Sequence, residues 1–166
     1  MTTLADFGAQ MAALPISAAL RTSAWAYPAI EIVHLTGMAL LFGTIAVVDL
    51  RLAGAARALP VTTLLRHVLP WTIGAFVAIV ASGVLLFLAH ADELATNRAF
   101  LVKLALIALG LANALYFHVR PYRTLDAPGR SWNVDAAPPA ITRACALLSL
   151  LTWTLVICAG RLIAYV

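Results

Sequence analysis

The stretch AWAYPAIEIVHLTGMALLFGTIAVVDLRL, from Ala24 to Leu52, decides the fold because it is long and apolar enough to cross a lipid bilayer. A hydrocarbon core about 30 Å thick needs about 20 apolar residues in one helix. The stretch nevertheless contains Glu31, His34 and Asp49. Ionisable side chains are costly inside a membrane, so they face the protein interior and usually have a partner or a function. The three residues therefore mark the inward face of this helix.

The composition of the whole chain predicts an all-α integral membrane protein. Of its 166 residues, 63% are hydrophobic and 11% are charged, whereas soluble domains are about half apolar and about one quarter charged. Four apolar runs, at about 26–50, 68–90, 99–119 and 142–165, predict a four-helix bundle that forms a single domain over 1–166. Before them, Leu4, Phe7, Met11 and Leu14 recur at helical spacing, which predicts a short N-terminal interfacial helix.

The charged residues indicate a membrane topology rather than a nucleic-acid partner. The net charge is +4, but the basic residues form no cluster of the kind that binds nucleic acid. Cytoplasmic loops are enriched in Lys and Arg, so we expect a bacterial inner-membrane protein with both termini in the periplasm. The connections after spans 1 and 3 hold Arg51, Arg57, Arg66, Arg120, Arg123, Arg130 and Arg143, and the other side holds Arg21, Arg98, Lys103 and Arg161.

Helical spacing and depth divide the polar residues of the spans into two layers. The outer layer contains Glu31, His34, Lys103 and Arg161, which antiparallel helices place at similar heights. We predict that Lys103 or Arg161 neutralises Glu31, and that His34 and Tyr165 complete the network. Such a cluster is either a buried ion pair that fixes helix register, or a pocket for a polar head group such as a quinone, or a proton relay.

The inner layer suggests a haem site. His67 and His118 lie at matching depth on antiparallel helices, where two imidazoles could bind one b-type haem iron, a metal that such bundles often hold. His34 and His90 form a weaker second pair, nearer the outer side. Guanidinium groups suit haem propionates. The inner network comprises Asp49, Arg51, Arg66, Asn113, Arg120 and Arg143.

The sequence also resembles a known family. The runs WAYPAIEIVHLTGMALLFG, VVDLRLAG, RHVLPW, TNRAFLVKLALIALGLANALYFH and CAGRLIAY resemble a family of small bacterial inner-membrane proteins that is described only as a domain of unknown function. This resemblance implies four spans and no particular activity, and His90 lies outside its pattern. It places Glu31, His34, Asp49, Arg51, His67, Asn97, Lys103, Asn113, His118 and Arg161 at motif positions.

In size and architecture alone, the chain is similar to small dihaem b-type cytochromes of bacterial membranes, including superoxide oxidase. The histidines here do not reproduce the ligand positions of that group, because span 4 has none. A likeness of fold does not establish a function.

Three functions remain open at this point. The first, which we favour, is a b-type cytochrome with one or two haems that exchanges electrons with a quinone. The second is a copper-handling protein that uses His34 with Glu31 and Met38, since imidazole and thioether suit Cu(I). The third is a non-catalytic accessory subunit. The partners considered are the lipid bilayer, a quinone or redox partner, and a second copy of the chain.

Overall fold

The computed structural model describes residues 3–128 and 131–165, and every regular element within these ranges is helical. Four of the helices are long and apolar enough to cross a membrane, which confirms the prediction of an all-α four-span fold. The helices are α1 (Leu4–Ala12), α2 (Pro15–Thr22), α3 (Ala26–Ala53), α4 (Val61–Ala89), α5 (Ala91–Leu94), α6 (Arg98–Val119) and α7 (Ala140–Leu162), and a 3₁₀ turn covers Pro121–Thr124.

The helix boundaries differ from the predicted ones mainly at prolines. Helix α4 begins at Val61, seven residues before the predicted start, and α7 begins at Ala140. The N-caps of the two helices are Pro60 and Pro139. Proline suits the start of a helix because the first backbone N–H groups have no partner within the helix. Helix α4 continues through Pro70 without a break.

The N-terminal segment forms two helices rather than the single interfacial helix predicted. Helix α1 starts with a capping box between Thr3 and Asp6, and Pro15 is the first residue of α2. Helix α1 packs on α5, and α2 packs on α4. The contact with α5 is so close that a Cβ atom on Gly8 would lie 2.5 Å from the Ala91 carbonyl oxygen. The segment is therefore docked on the bundle as a cap.

The four long helices pack in the order α4, α3, α7, α6. Helices α4 and α6 close the bundle through side chains, for example where Phe87 stacks on Phe100 with ring centroids 5.4 Å apart. A central apolar cluster contains Leu41, Ala75, Trp153 and Val156. Large apolar side chains on the outer surface of the long helices, such as Trp71, are exposed. This pattern fits a multi-pass membrane protein surrounded by lipid.

Both ends of the described chain lie on one face of the bundle. We call this the terminal face; it carries α1, α2, α5 and the end of α7. The opposite end, which carries the connections 54–60 and 120–139, is called the loop face. Because the chain crosses four times, the His34 layer lies toward the terminal face and the His67 layer toward the loop face. These positions agree with the two layers predicted.

Candidate functional site

His34 is the most buried histidine in the described part of the chain, and its environment fixes its tautomer. It is 9% exposed, and its Nδ1 lies 2.9 Å from the Ser82 hydroxyl oxygen on α4. The single proton of that hydroxyl points to the Ala78 carbonyl, 2.6 Å away. Ser82 therefore accepts the hydrogen bond from Nδ1–H of His34, the ring also interacts with the Ile79 backbone, and the lone pair of the neutral ring lies on Nε2.

Gly83 makes room for this imidazole. A Cβ atom at position 83 would lie 3.2 Å from Cε1 of His34, tighter than most contacts between side chains. The adjacent pair Ser82 and Gly83 thus supplies both the hydrogen-bond partner and the space that His34 requires. The three residues hold the ring at the contact between α3 and α4.

Lys103 lies in the same layer and has no bonding partner in residues 3–128 and 131–165. Its half-buried side chain extends from α6 toward α7, where Nζ would lie 3.5 Å from a Cβ atom on Gly160. Lys103 and Glu31 both interact electrostatically with His34. The site therefore joins a free imidazole nitrogen to an ammonium group whose donors are uncommitted.

Within the described ranges Glu31 forms no ion pair with Lys103 or Arg161, and Arg161 and Tyr165 contact each other apart from Glu31. Glu31 is exposed, and it interacts electrostatically with Tyr27 and His34. Arg161, in the last turn of α7, donates to the Tyr165 hydroxyl just beyond the end of the helix, at 2.9 Å, and its guanidinium also lies over that ring. Long exposed side chains find such partners within one helical turn, which removes Arg161 from the interior.

The structure does not bring His34 and His90 together. His90 follows α4, about 12 Å beyond Ser82 along the helix axis, and packs edge-on against Tyr27 with centroids 5.3 Å apart. The proposed copper ligands on α3 differ in burial, since Met38 is half-buried while Glu31 is exposed. Within the described ranges, no group of three or more His, Cys, Asp or Glu side chains could hold a metal ion.

The structure also does not bring His67 and His118 together as a pair within one chain. His67 is exposed, and His118 is half-buried beside the Phe117 and Tyr122 rings. The interior at this depth is filled by one apolar cluster that includes Leu65 and Phe117. The haem prediction therefore stays a prediction, and the described side chains between α4 and α6 at this depth are apolar.

Each of these two histidines nevertheless has a defined tautomer. Nδ1 of His67 lies 2.7 Å from the Thr63 carbonyl oxygen, and Nδ1 of His118 lies 2.8 Å from the Ala114 carbonyl oxygen. A carbonyl only accepts hydrogen bonds, so each Nδ1 carries the proton and each neutral ring keeps a free Nε2.

Arg51 holds the loop face together instead of binding a ligand. It is 2% exposed. It donates to the carbonyl oxygens of Leu59 at 2.7 Å, Asn133 at 3.0 Å and Arg57 at 3.2 Å. Its side chain thus ties the end of α3 to both connections of this face. Its Nε and Nη2 groups are therefore occupied by backbone, while its Nη1 atom is buried without a hydrogen-bond partner in the described ranges.

The other predicted inner-layer residues are spread over the loop-face half. Asp49 is buried against α7, and Asn113 donates from α6 to the Cys145 carbonyl oxygen at 3.0 Å. The three remaining arginines, which were predicted to join a propionate or polar network, are exposed and face away from the interior; they are Arg66, Arg120 and Arg143.

Two functional or structural partners were missed by the sequence analysis. Ser82 lies in the apolar run of α4, where the adjacent Gly83 is a usable signal for close packing. Asn133 lies in an irregular connection, and its side-chain oxygen accepts from the Thr62 backbone N–H at 3.1 Å. Nothing in the loop sequence distinguishes Asn133 from its polar neighbours.

The fold and the site define a class: a four-span helical membrane protein with a small polar site buried near one membrane face. Residues 22–166 match the model of a family of unknown function (DUF6644). The chain belongs to that family. No curated protein and no solved structure matches it.

Proposed function

We propose that the protein binds the head group of a lipid-soluble quinone between His34 and Lys103, and that it serves membrane electron transfer. One observation carries this proposal: the Lys103 ammonium lies inside a membrane-spanning helix without a partner in the described ranges. An unpaired cation in hydrocarbon is costly and usually marks a ligand site or an ion path. A quinone carbonyl is an acceptor that reaches such a site from the lipid.

The two side chains match the chemistry of a quinone and its quinol. The Lys103 ammonium only donates hydrogen bonds, so it suits a quinone carbonyl oxygen. The free Nε2 of His34 accepts a hydrogen bond, so it suits a quinol hydroxyl. Oxidation of a quinol to a quinone releases two protons and two electrons, and we propose that the electrons pass to the haem or metal centre of a separate redox partner.

Glu31 provides an exit for the protons. It lies three residues before His34 on α3, a spacing that places two side chains on the same side of a helix. Its carboxylate is exposed on the terminal-face half. We propose that Nε2 of His34 accepts the proton of the hydroxyl that it contacts and passes it to Glu31 and the aqueous phase, and that the hydroxyl beside Lys103 loses its proton to water at the terminal face.

Binding of a short-tailed benzoquinone to the protein in lipid nanodiscs tests this proposal, with empty nanodiscs as the blank. We expect Lys103→Met and His34→Gln each to weaken binding at least tenfold, because each removes one of the two contacts. The matched control is Arg98→Met, which removes an exposed cation from the same helix and should leave the affinity unchanged.

Two results would overturn the proposal. The first is unchanged quinone affinity in the Lys103→Met variant. The second is binding of an anionic phospholipid that depends on Lys103 and is not displaced by the quinone. That result would show that the Lys103 ammonium binds a lipid phosphate instead.

The haem and copper predictions require separate measurements. His67 is exposed and His118 is half-buried, and we derive no step that uses a haem between them. Oxidised and reduced absorption spectra of the purified protein check for b-type haem, and metal analysis checks for copper. Colourless, metal-free protein that binds no quinone would instead support the accessory subunit.

We also propose that the loop face is cytoplasmic in a bacterial inner membrane. Exposed arginines lie at this face, which agrees with the enrichment of basic residues in cytoplasmic loops. They include Arg57, Arg66, Arg120, Arg123 and Arg143, while Arg130, which was counted in the prediction, lies outside the described residues. A C-terminal alkaline phosphatase fusion should be active, and an inactive fusion beside an active cytoplasmic reporter would contradict this orientation.

A further inference from the structure

Asp49 is a buried carboxyl group that the quinone site does not use. It lies in the loop-face half of α3 and is 6% exposed. Its Oδ2 atom is buried and has no hydrogen-bond partner. An ionised carboxylate in such a position loses its hydration without compensation, a cost that proteins normally avoid.

The groups around Asp49 provide no positive charge. From α7, Ser149 lies within hydrogen-bonding reach of the carboxyl group, and Cys145 is its titratable neighbour. Arg51 follows on the same helix, but it donates to the loop carbonyls. On the other packed helix, α4, the candidate cations are Arg66 and His67, and both are exposed.

A bound metal cation does not explain the burial of Asp49 either. Hard cations such as Ca²⁺ and Mg²⁺ require about six or more oxygen ligands. Ser149 contributes one hydroxyl beside Asp49, and in the described ranges Asp49 belongs to no group of three or more His, Cys, Asp or Glu side chains that could hold a metal ion. A proton requires only one acceptor, which the Ser149 oxygen can provide.

We propose that Asp49 and Ser149 form a proton-binding site in the loop-face half of the membrane. Asp49 holds the proton as a neutral carboxylic acid. The site is separate from the quinone site, because Asp49 lies fifteen residues after His34, about 22 Å along the helix. The apolar side chains of Leu41, Trp153 and Val156 lie between the two. Asp49 therefore exchanges its proton with the loop face.

Infrared difference spectroscopy of the full chain in nanodiscs tests this site. Subtracting the spectrum of Asp49→Asn from that of the wild type at pH 7 should leave the carbonyl stretching band of a protonated carboxyl group. The band should shift in heavy water. It should persist when sodium replaces choline in the buffer, because the proton is not exchanged for a metal cation. The matched control, Glu31→Gln, removes an exposed carboxyl group and should retain the band.

The Ser149→Ala variant provides a second test, which does not require the Asp49→Asn variant to fold. It should shift the frequency of the band, because the neutral carboxyl group loses its hydroxyl acceptor. A carboxylate band at pH 7 in place of the carbonyl band would overturn the proposal, as would loss of the carbonyl band on adding sodium. Both results are independent of quinone binding.

Discussion

Arg51 at the loop face is buried and Lys103 at the terminal face is half-buried, and the two basic side chains differ in their hydrogen bonding. At the loop face, Arg51 donates to three backbone carbonyl oxygens. At the terminal face, Lys103 donates to no atom of the described chain, and the imidazole in the same layer keeps a free nitrogen. Residue type and burial alone therefore do not show whether a basic residue has a structural or a functional role. The two roles differ in whether the hydrogen-bond donors and acceptors of the side chain are already bound to protein atoms.

The largest effect is expected at Arg51. Arg51→Met leaves buried carbonyl oxygens of both loop-face connections without a donor, so the free energy of unfolding should fall by about 3 kcal/mol or more. Arg57→Met is the matched control. Its exposed side chain binds only the Gly54 carbonyl, and its own carbonyl still accepts from Arg51. Thermal unfolding in detergent measures both. Equal losses of stability in the two variants would show that Arg51 does not connect the loop-face segments.

A smaller effect is expected at the glycine beside His34. Gly83→Ala places a Cβ atom 3.2 Å from the imidazole, so the ring must move and its bond to Ser82 must weaken. We expect a loss of about 1 to 2 kcal/mol in stability and a several-fold weaker quinone affinity. Gly74→Ala, on the same helix, meets no atom within 4 Å and should leave both unchanged. An unaltered quinone affinity in the Gly83→Ala variant would show that Gly83 does not contribute to the quinone site.

The smallest effect is expected at the N-terminal cap. Hydrogen bonds from the Thr3 backbone and side chain lower the pKa of Asp6 below its ordinary value of 3.8. Because the pKa of Asp6 is lower in the folded protein than in the unfolded chain, ionised Asp6 stabilises the helix at pH values above the unfolded pKa. This contribution disappears as the pH falls through the folded pKa. Hydrogen exchange should show faster opening of α1 near pH 3 than near pH 7. The Asp6→Asn variant should lack this difference.

The sequence predicts the spans well because hydrophobicity alone determines them. Predicted span 1 began at residue 26, as α3 does, and span 3 began within one residue of α6. The start of α4 was missed because it is polar, and its onset depends on Pro60. The docking of α1 on α5 was missed as well, since it depends on one tertiary contact at Gly8.

The candidate site was only partly predictable. Depth along the helices placed His34 and Lys103 in one layer, which the structure shows. Periodicity could not specify which helices are neighbours or which donors are already occupied. For this reason Arg161 and Glu31 were placed in the interior network, and the loop carbonyls that Arg51 binds were not anticipated.

Thermal unfolding of the wild type and Lys103→Met, each with and without a short-tailed benzoquinone, tests the contrast between the two ends most directly. The account predicts that Lys103→Met is at least as stable as the wild type without ligand, because it removes an unpaired cation from the membrane interior. The quinone should stabilise only the wild type, by about 2.7 kcal/mol at one hundred times its dissociation constant. A destabilised variant, or one that the quinone stabilises as much as the wild type, would contradict it.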